Sequence, residues 1–203
     1  ANNGTSGLEP WISDGTSSGT FQLKDLYSST SKNGNTDSSP YTFVTIGEKV
    51  IFTANVNKQA DGTVSEKGRE LVISDGTEAG TVFYDLNQGS SSSSPQMIGM
   101  LGGYLYFAAQ NAIYKTNGGE PIKVTDWAYS GLQILGYSDQ KVYLTKTDET
   151  RGTELWVADV TTNVVSLVKD ILPGTGAALA SHSYQVKLMV GNKFVFTAYK
   201  SAN

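Results

Sequence analysis

Four stretches of this chain concentrate aromatic and β-branched residues, and each is interrupted near its centre by a turn-forming pair. They are YTFVTIGEKVIFTA at 41–54, MIGMLGGYLYFAA at 97–109, LQILGYSDQKVYLT at 132–145 and YQVKLMVGNKFVFTA at 184–198. The interrupting pairs are Gly47-Glu48, Gly102-Gly103, Asp139-Gln140 and Gly191-Asn192, so each stretch predicts a β-hairpin. The second arms, VIFTA, LYFAA, VYLT and FVFTA, are apolar on both alternating faces, which a sheet with one solvated face does not tolerate. Both faces of each sheet are therefore expected to be covered.

A second pattern recurs between these hairpins. It reads LEPWISDGTSSGTFQLKDL at 8–26, RELVISDGTEAGTVFYDL at 69–86, AIYKTNGGEPIKVTDW at 112–127 and TELWVADVTTNVVSLVKDI at 153–171. A phrase returning at a period of about 40 to 60 residues predicts a repeat architecture, in which each unit buries its apolar faces against its neighbours. Within the phrase, Glu-Leu-Trp or its equivalent predicts a short strand, Asp-Gly-Thr a turn, and the stretch ending at Lys-Asp-Ile or its equivalent a last strand. Each repeat is thus a four-stranded meander. Polar, Ser/Gly-rich links follow at 28–39, 87–94 and 172–183, two of them ending in Ser39-Pro40 and Ser94-Pro95, where a missing donor suits a strand start.

Small sheets buried on both faces and joined by such links predict an all-β fold, a four-bladed β-propeller in a single domain over 1–203. The blades are expected at 40–86, 95–127 and 131–171, with the fourth shared between 1–26 and 184–203. In that arrangement FVFTA pairs with EPWIS and closes the ring, leaving no open strand edge to aggregate. The rivals are an arc of a larger propeller and a ring completed by a second copy.

The signature resembles the ELWxxDGTxxGT repeats of large secreted and surface proteins of bacteria, and its strand pattern is similar to kelch blades. The match is specific in the first, second and fourth copies. The third lacks the leading Glu and carries Asn117-Gly118-Gly119 in place of Asp-Gly-Thr. The resemblance implies an extracellular or cell-surface, often multi-modular setting, and says little about chemistry.

Composition narrows the classes further. The net charge of -4 with singly scattered basic residues carries no electrostatic footprint for nucleic acid. No apolar run reaches membrane-spanning length, so membrane insertion is not expected. The absence of cysteine excludes disulfides and thiolate metal sites. The chain opens on Ala1 rather than Met, as a processed or excised chain would.

Candidate chemistry is sparse. Asp14, Asp75 and Asp159 share one turn position with Asn117, and Gly15, Gly76 and Gly118 follow them; these read as turn formers. Calcium is the rival, but SDGTSSGT holds a single carboxylate where a loop site needs several oxygens. Asp25, Asp85, Asp126 and Asp170 end the last strands, and turn capping is the expected role rather than a cation-collecting rim. Glu9, Glu70 and Glu154 also recur, but a paired-carboxylate glycosidase needs two of them within about 5 to 10 Å. His182 is the single histidine, flanked by Ser181 and Ser183 without a nucleophile elbow, so no catalytic residue is assigned.

Trp11 and Trp156 share one slot with Val72 and Tyr114, which predicts core between blades. Trp127 and Tyr129 stand outside the repeat and are the candidate ligand-binding aromatics, to stack on a sugar or receive a peptide. The expected function is a non-catalytic binding or adhesion module for a glycan or protein surface, without cofactor or metal. It would act as a monomeric module or as part of a larger chain. A purely structural spacer is the alternative, and a secreted hydrolase ranks last.

Overall fold

The computed structural model describes residues 1–28, 36–59, 61–126, 133–138, 140–179 and 187–200. Trp127, Tyr129 and His182 lie outside them. The chain divides into two compact units, Ala1–Gln96 with Thr116–Pro121, and Met97–Lys115 with Ile122–Asn203. The described residues form antiparallel strands and no helix.

In the first unit β1 (Trp11–Ile12) pairs with β2 (Phe21–Gln22), and β3 (Tyr41–Ile46), β4 (Lys49–Lys58), β5 (Val64–Ser74) and β6 (Val82–Tyr84) form a four-stranded meander in chain order. Two more meanders follow: β7 (Gln96–Leu101), β8 (Tyr104–Ala109), β9 (Ala112–Thr116) and β10 (Ile122–Asp126), then β11 (Gln133–Ser138), β12 (Lys141–Asp148), β13 (Gly152–Asp159) and β14 (Val164–Lys169). The last sheet is the hairpin β15 (Lys187–Val190) and β16 (Lys193–Phe196). Gly47-Glu48, Gly102-Gly103 and Gly191-Asn192 fall between the arms they were expected to join, and Asp139 of the remaining pair lies outside the described residues.

The second arms of the three meanders are buried on both faces, as their composition requires; the fourth, FVFTA, is not, and Val195 in β16 is 48% exposed because among the described residues no third strand or facing sheet covers it. Ile51, Phe52, Thr53 and Ala54 are wholly enclosed in β4, and Leu105 to Ala109 are buried in β8. Enclosing one such large side chain contributes roughly 1.5–3 kcal/mol. In the first unit Leu26, just past β2, packs with Phe52, Ala54, Val56 and Val72. In the second unit one core joins Ile98, Tyr106, Ala108 and Ile113 to Val142, Leu144, Trp156 and Ala158, and another packs Phe194 and Phe196 against Leu135, Leu155 and Leu179. Successive sheets in this unit therefore pack face to face.

Two glycines make that close approach possible. A Cβ on Gly99 would lie 2.1 Å from Cζ of Tyr137, and one on Gly136 would lie 3.3 Å from the Phe194 ring. Each first strand leaves a gap into which a ring from the following sheet fits.

β1–β2 and β15–β16, the two halves of the expected shared blade, are two-stranded sheets, one in each unit. Two expectations need correction. Trp11 is 36% exposed rather than core, because among the described residues no strand flanks β1 on the side where β12 covers β13 and encloses Trp156. The β4 and β5 arms also run far beyond the expected pair, because residues 55–58 and 64–69 continue the two strands, and between them Asp61 Oδ1 accepts from Thr63 N at 2.9 Å.

Candidate functional site

The repeated turn is a closed circuit of hydrogen bonds. Asp14 Oδ1 accepts from Thr16 N at 2.8 Å and Thr16 Oγ1 at 2.7 Å, while Thr16 Oγ1 accepts from Gly19 N at 2.9 Å. Thr20 Oγ1 returns to Thr16 O at 2.6 Å and meets Ser13 Oγ at 2.6 Å. The second copy repeats this arrangement: Asp75 Oδ1 takes Thr77 N and Thr77 Oγ1, Thr77 Oγ1 takes Gly80 N, and Ser74 meets Thr81. In each copy the carboxylate sits over the second glycine, where a Cβ on Gly19 would lie 2.0 Å from Asp14 Oδ1. Hydrogen bonds from Thr16 hold the Asp14 carboxyl below its usual range, and those from Thr77 do the same to Asp75.

The other two copies keep only parts of the circuit. Asn117 Oδ1 accepts from Gly119 N at 3.3 Å, and Gly118 N donates to Thr116 Oγ1 at 3.0 Å. Asp159 Oδ1 accepts from Thr161 N at 2.9 Å and Thr162 N at 3.1 Å. Gly15, Gly76 and Gly118 take φ of +90°, +88° and +95°.

The repeated glutamates have a role that the sequence reading did not assign. Glu9, Glu70 and Glu154 are fully enclosed, and each ties the chain beyond the last strand back to its own sheet. Glu9 accepts from Leu26 N at 3.0 Å and Ser38 N at 3.2 Å. Glu70 accepts from Leu86 N at 3.1 Å, Ser93 N at 2.8 Å and the Ser93 hydroxyl. Glu154 accepts from Ile171 N at 3.0 Å and Leu172 N at 3.2 Å. Burial pushes the Glu9 carboxyl up to about 7 against the pull of these donors, and it raises Glu70 as well.

A glycine two residues before each glutamate completes the staple. Gly7, Gly68 and Gly152 take φ of +72°, +75° and +64°, and the returning link lies directly over them. A Cβ would lie 2.4 Å from Thr36 O, 2.6 Å from Ser92 N and 1.7 Å from Gly176 O respectively. The signal was present in the sequence as Gly-x-Glu, at Gly7-Leu8-Glu9, Gly68-Arg69-Glu70 and Gly152-Thr153-Glu154. The third copy has Ala112 at the glutamate position.

Asp25, Asp85 and Asp170 are not the turn caps that were expected, because Glu9, Glu70 and Glu154 already hold the amides that follow, and the Asp126 side chain lies outside the described residues. Asp25 Oδ2 pairs with Lys58 Nζ at 2.8 Å and Asp85 Oδ2 with Lys67 Nζ at 3.1 Å, while Oδ1 of Asp25, Asp85 and Asp170 has no partner. Both ion pairs are partly solvated and each is worth about 0–1 kcal/mol. Among the described residues, no three His, Cys, Asp or Glu side chains converge as metal ligands would.

With the repeated polar groups taken up by the fold, an open depression in the second unit gathers a different set. It measures about 460 Å³ and is lined by Gly102, Ser138, Gln140, Lys141, Tyr143, Asp159 and Asn192. Gly102 and Asn192 come from the turns after β7 and β15, Ser138 from the end of β11, Gln140 from just before β12, and Lys141, Tyr143 and Asp159 from β12 and β13. Gln140 Oε1 accepts from Thr161 Oγ1, the turn amides hold Asp159, and the Tyr143 ring stacks on Phe194 with centroids 4.9 Å apart. Asp159, an expected turn former, also lines this depression, which strand spacing could not reveal.

The first unit has a depression of about 480 Å³ lined by Lys24, Asp25, Lys58, Gln59, Gly62, Glu78 and Ala79. Its cations are engaged: Lys24 Nζ donates to Thr81 O at 2.6 Å and to Glu78 O at 3.1 Å, and Lys58 holds Asp25. No family model, curated protein or solved structure matches the chain.

Proposed function

We propose that the chain is a non-catalytic binding module of an extracellular or cell-surface protein, its sheets the blades of a β-propeller and its ligand a glycan. The observation that carries this reading is the division of labour among polar side chains. Glu9, Glu70 and Glu154 are enclosed and hold backbone amides, which withdraws the repeat's most prominent carboxylates from acid–base chemistry. What remains at the surface of the second unit is a depression of mixed hydroxyl, amide and charged groups, within the roughly 300–1,000 Å³ of small-molecule sites. The face-to-face packing of successive sheets in that unit supports the blade reading.

A glycan array probed with the isolated chain tests the proposal, with release of reducing ends from the bound glycans as the check on catalysis. Saturable binding without turnover is the expected outcome. Binding only to glycan-free protein, or turnover of a bound glycan, overturns it. A structural spacer is the second reading, favoured by the same staples, and it predicts a silent array.

A further inference from the structure

We infer that the depression lined by Ser138, Gln140, Lys141, Tyr143, Asp159 and Asn192 is a carbohydrate subsite that takes an uncharged pyranose through its hydroxyl groups. This deepens the binding-module reading and rests on it. Charge decides the first step. Lys141 and Asp159 are cross-strand partners in β12 and β13, so the described lining residues carry one cation and one anion side by side. An anionic ligand would gain one ammonium at the expense of facing a carboxylate, and a cationic ligand meets the converse penalty, so the lining suits a neutral molecule.

Hydrogen-bonding character decides the second step. Lysine is a donor only and an ionised aspartate an acceptor only, while the serine and tyrosine hydroxyls and the two amides do both. A ligand that meets donors and acceptors interleaved over a small surface needs polar atoms that serve in both senses. Adjacent hydroxyls on a sugar ring do so. A peptide would draw its affinity from apolar pockets for its side chains, and among the described lining residues Tyr143 is the one large apolar body.

The site is also organised before any ligand arrives. Amides of Thr161 and Thr162 fix Asp159, Thr161 Oγ1 holds one end of the Gln140 amide, and Phe194 backs the Tyr143 ring at an interplanar angle of 12°. Fewer side chains then lose freedom on binding, which lowers the entropic cost of a small polar ligand.

Methyl pyranosides of glucose, galactose and mannose, titrated into the isotope-labelled chain, are the probe. At least one is expected to bind in the millimolar range and to shift the side-chain amide resonances of Gln140 and Asn192. Tyr143→Phe and Asn192→Ala are each expected to weaken it by roughly fivefold, the loss of one hydrogen bond, with unchanged melting temperature. Gln59→Ala, in the other unit's depression, is expected to leave affinity unchanged. If glycans bind on the array but neither variant weakens them and neither amide shifts, this subsite is wrong and the module reading stands. If no glycan binds in either experiment, both fail.

Discussion

The carboxylate of Asp75 occupies the space where a β-carbon on Gly80 would stand, 2.1 Å from that position. The second glycine of the Asp-Gly-Thr-x-x-Gly-Thr phrase is therefore set by the aspartate five residues before it. Its φ lies outside the left-handed region, so space rather than backbone conformation excludes a side chain.

This relationship predicts a coupled pair. Gly80→Ala should destabilise the chain by about 1–3 kcal/mol, as overpacking does. Adding Asp75→Ala removes the obstructing carboxylate and should recover much of that loss, a non-additivity that a double-mutant cycle in urea measures. Calcium or a chelator should leave the melting temperature where it is, because Asp75 Oδ1 is already occupied by two donors from Thr77.

The staple predicts a graded glycine series. Gly152→Ala places a methyl group 1.7 Å from Gly176 O at a φ of +64°, combining a backbone collision with a strained conformation, and should cost about 3 kcal/mol or more. Gly4 has a φ of +83° with nothing within 4 Å, so Gly4→Ala should cost only the conformational term of roughly 1–2 kcal/mol. Equal losses for the two in thermal melts would contradict the close passage of the link over Gly152.

Glu9 predicts a pH dependence whose sign follows from burial. Its carboxyl is raised from 4.5 to about 7, so the folded chain takes up a proton between those values. The stability it contributes is full below pH about 4.5 and is lost as the pH rises through about 7, by up to roughly 3 kcal/mol. Asp14 and Asp75 act in the opposite sense and at lower pH, since their lowered carboxyls lose stability as acid protonates them. Denaturant titrations from pH 4.5 to 7.5 should therefore slope downward, and Glu9→Gln should flatten the slope.

The proposed propeller, if it closes through its end segments, predicts a register. Ile51 pairs with Ile73 and Tyr143 with Val157, and the repeat places Val195 and Ile12 at those same positions. In this cysteine-free chain, an Ile12→Cys/Val195→Cys variant should form an internal disulfide under mild oxidation if β16 and β1 complete one blade. Disulfide-linked multimers would mean that another copy completes the sheet, and unreacted thiols would mean an open arc.

The hairpin turns, the four-stranded meanders and the double-sided burial of their second arms were determined by the sequence, because strand period, turn pairs and β-branched composition act over a few neighbouring residues. The Asp14 and Asp75 turns belong to the same class, since their partners lie two residues on. Glu9 and Gly152 do not. Their partners are Leu26 and Ser38 for the one and Gly176 for the other, brought close only when the link folds back, so a recurring Gly-x-Glu showed that something was required without showing what. The depression around Tyr143 and Asn192 depended still more on tertiary structure. Its lining comes from three hairpins and the end of β13, and residues that look interchangeable in sequence become one surface only when successive sheets pack face to face.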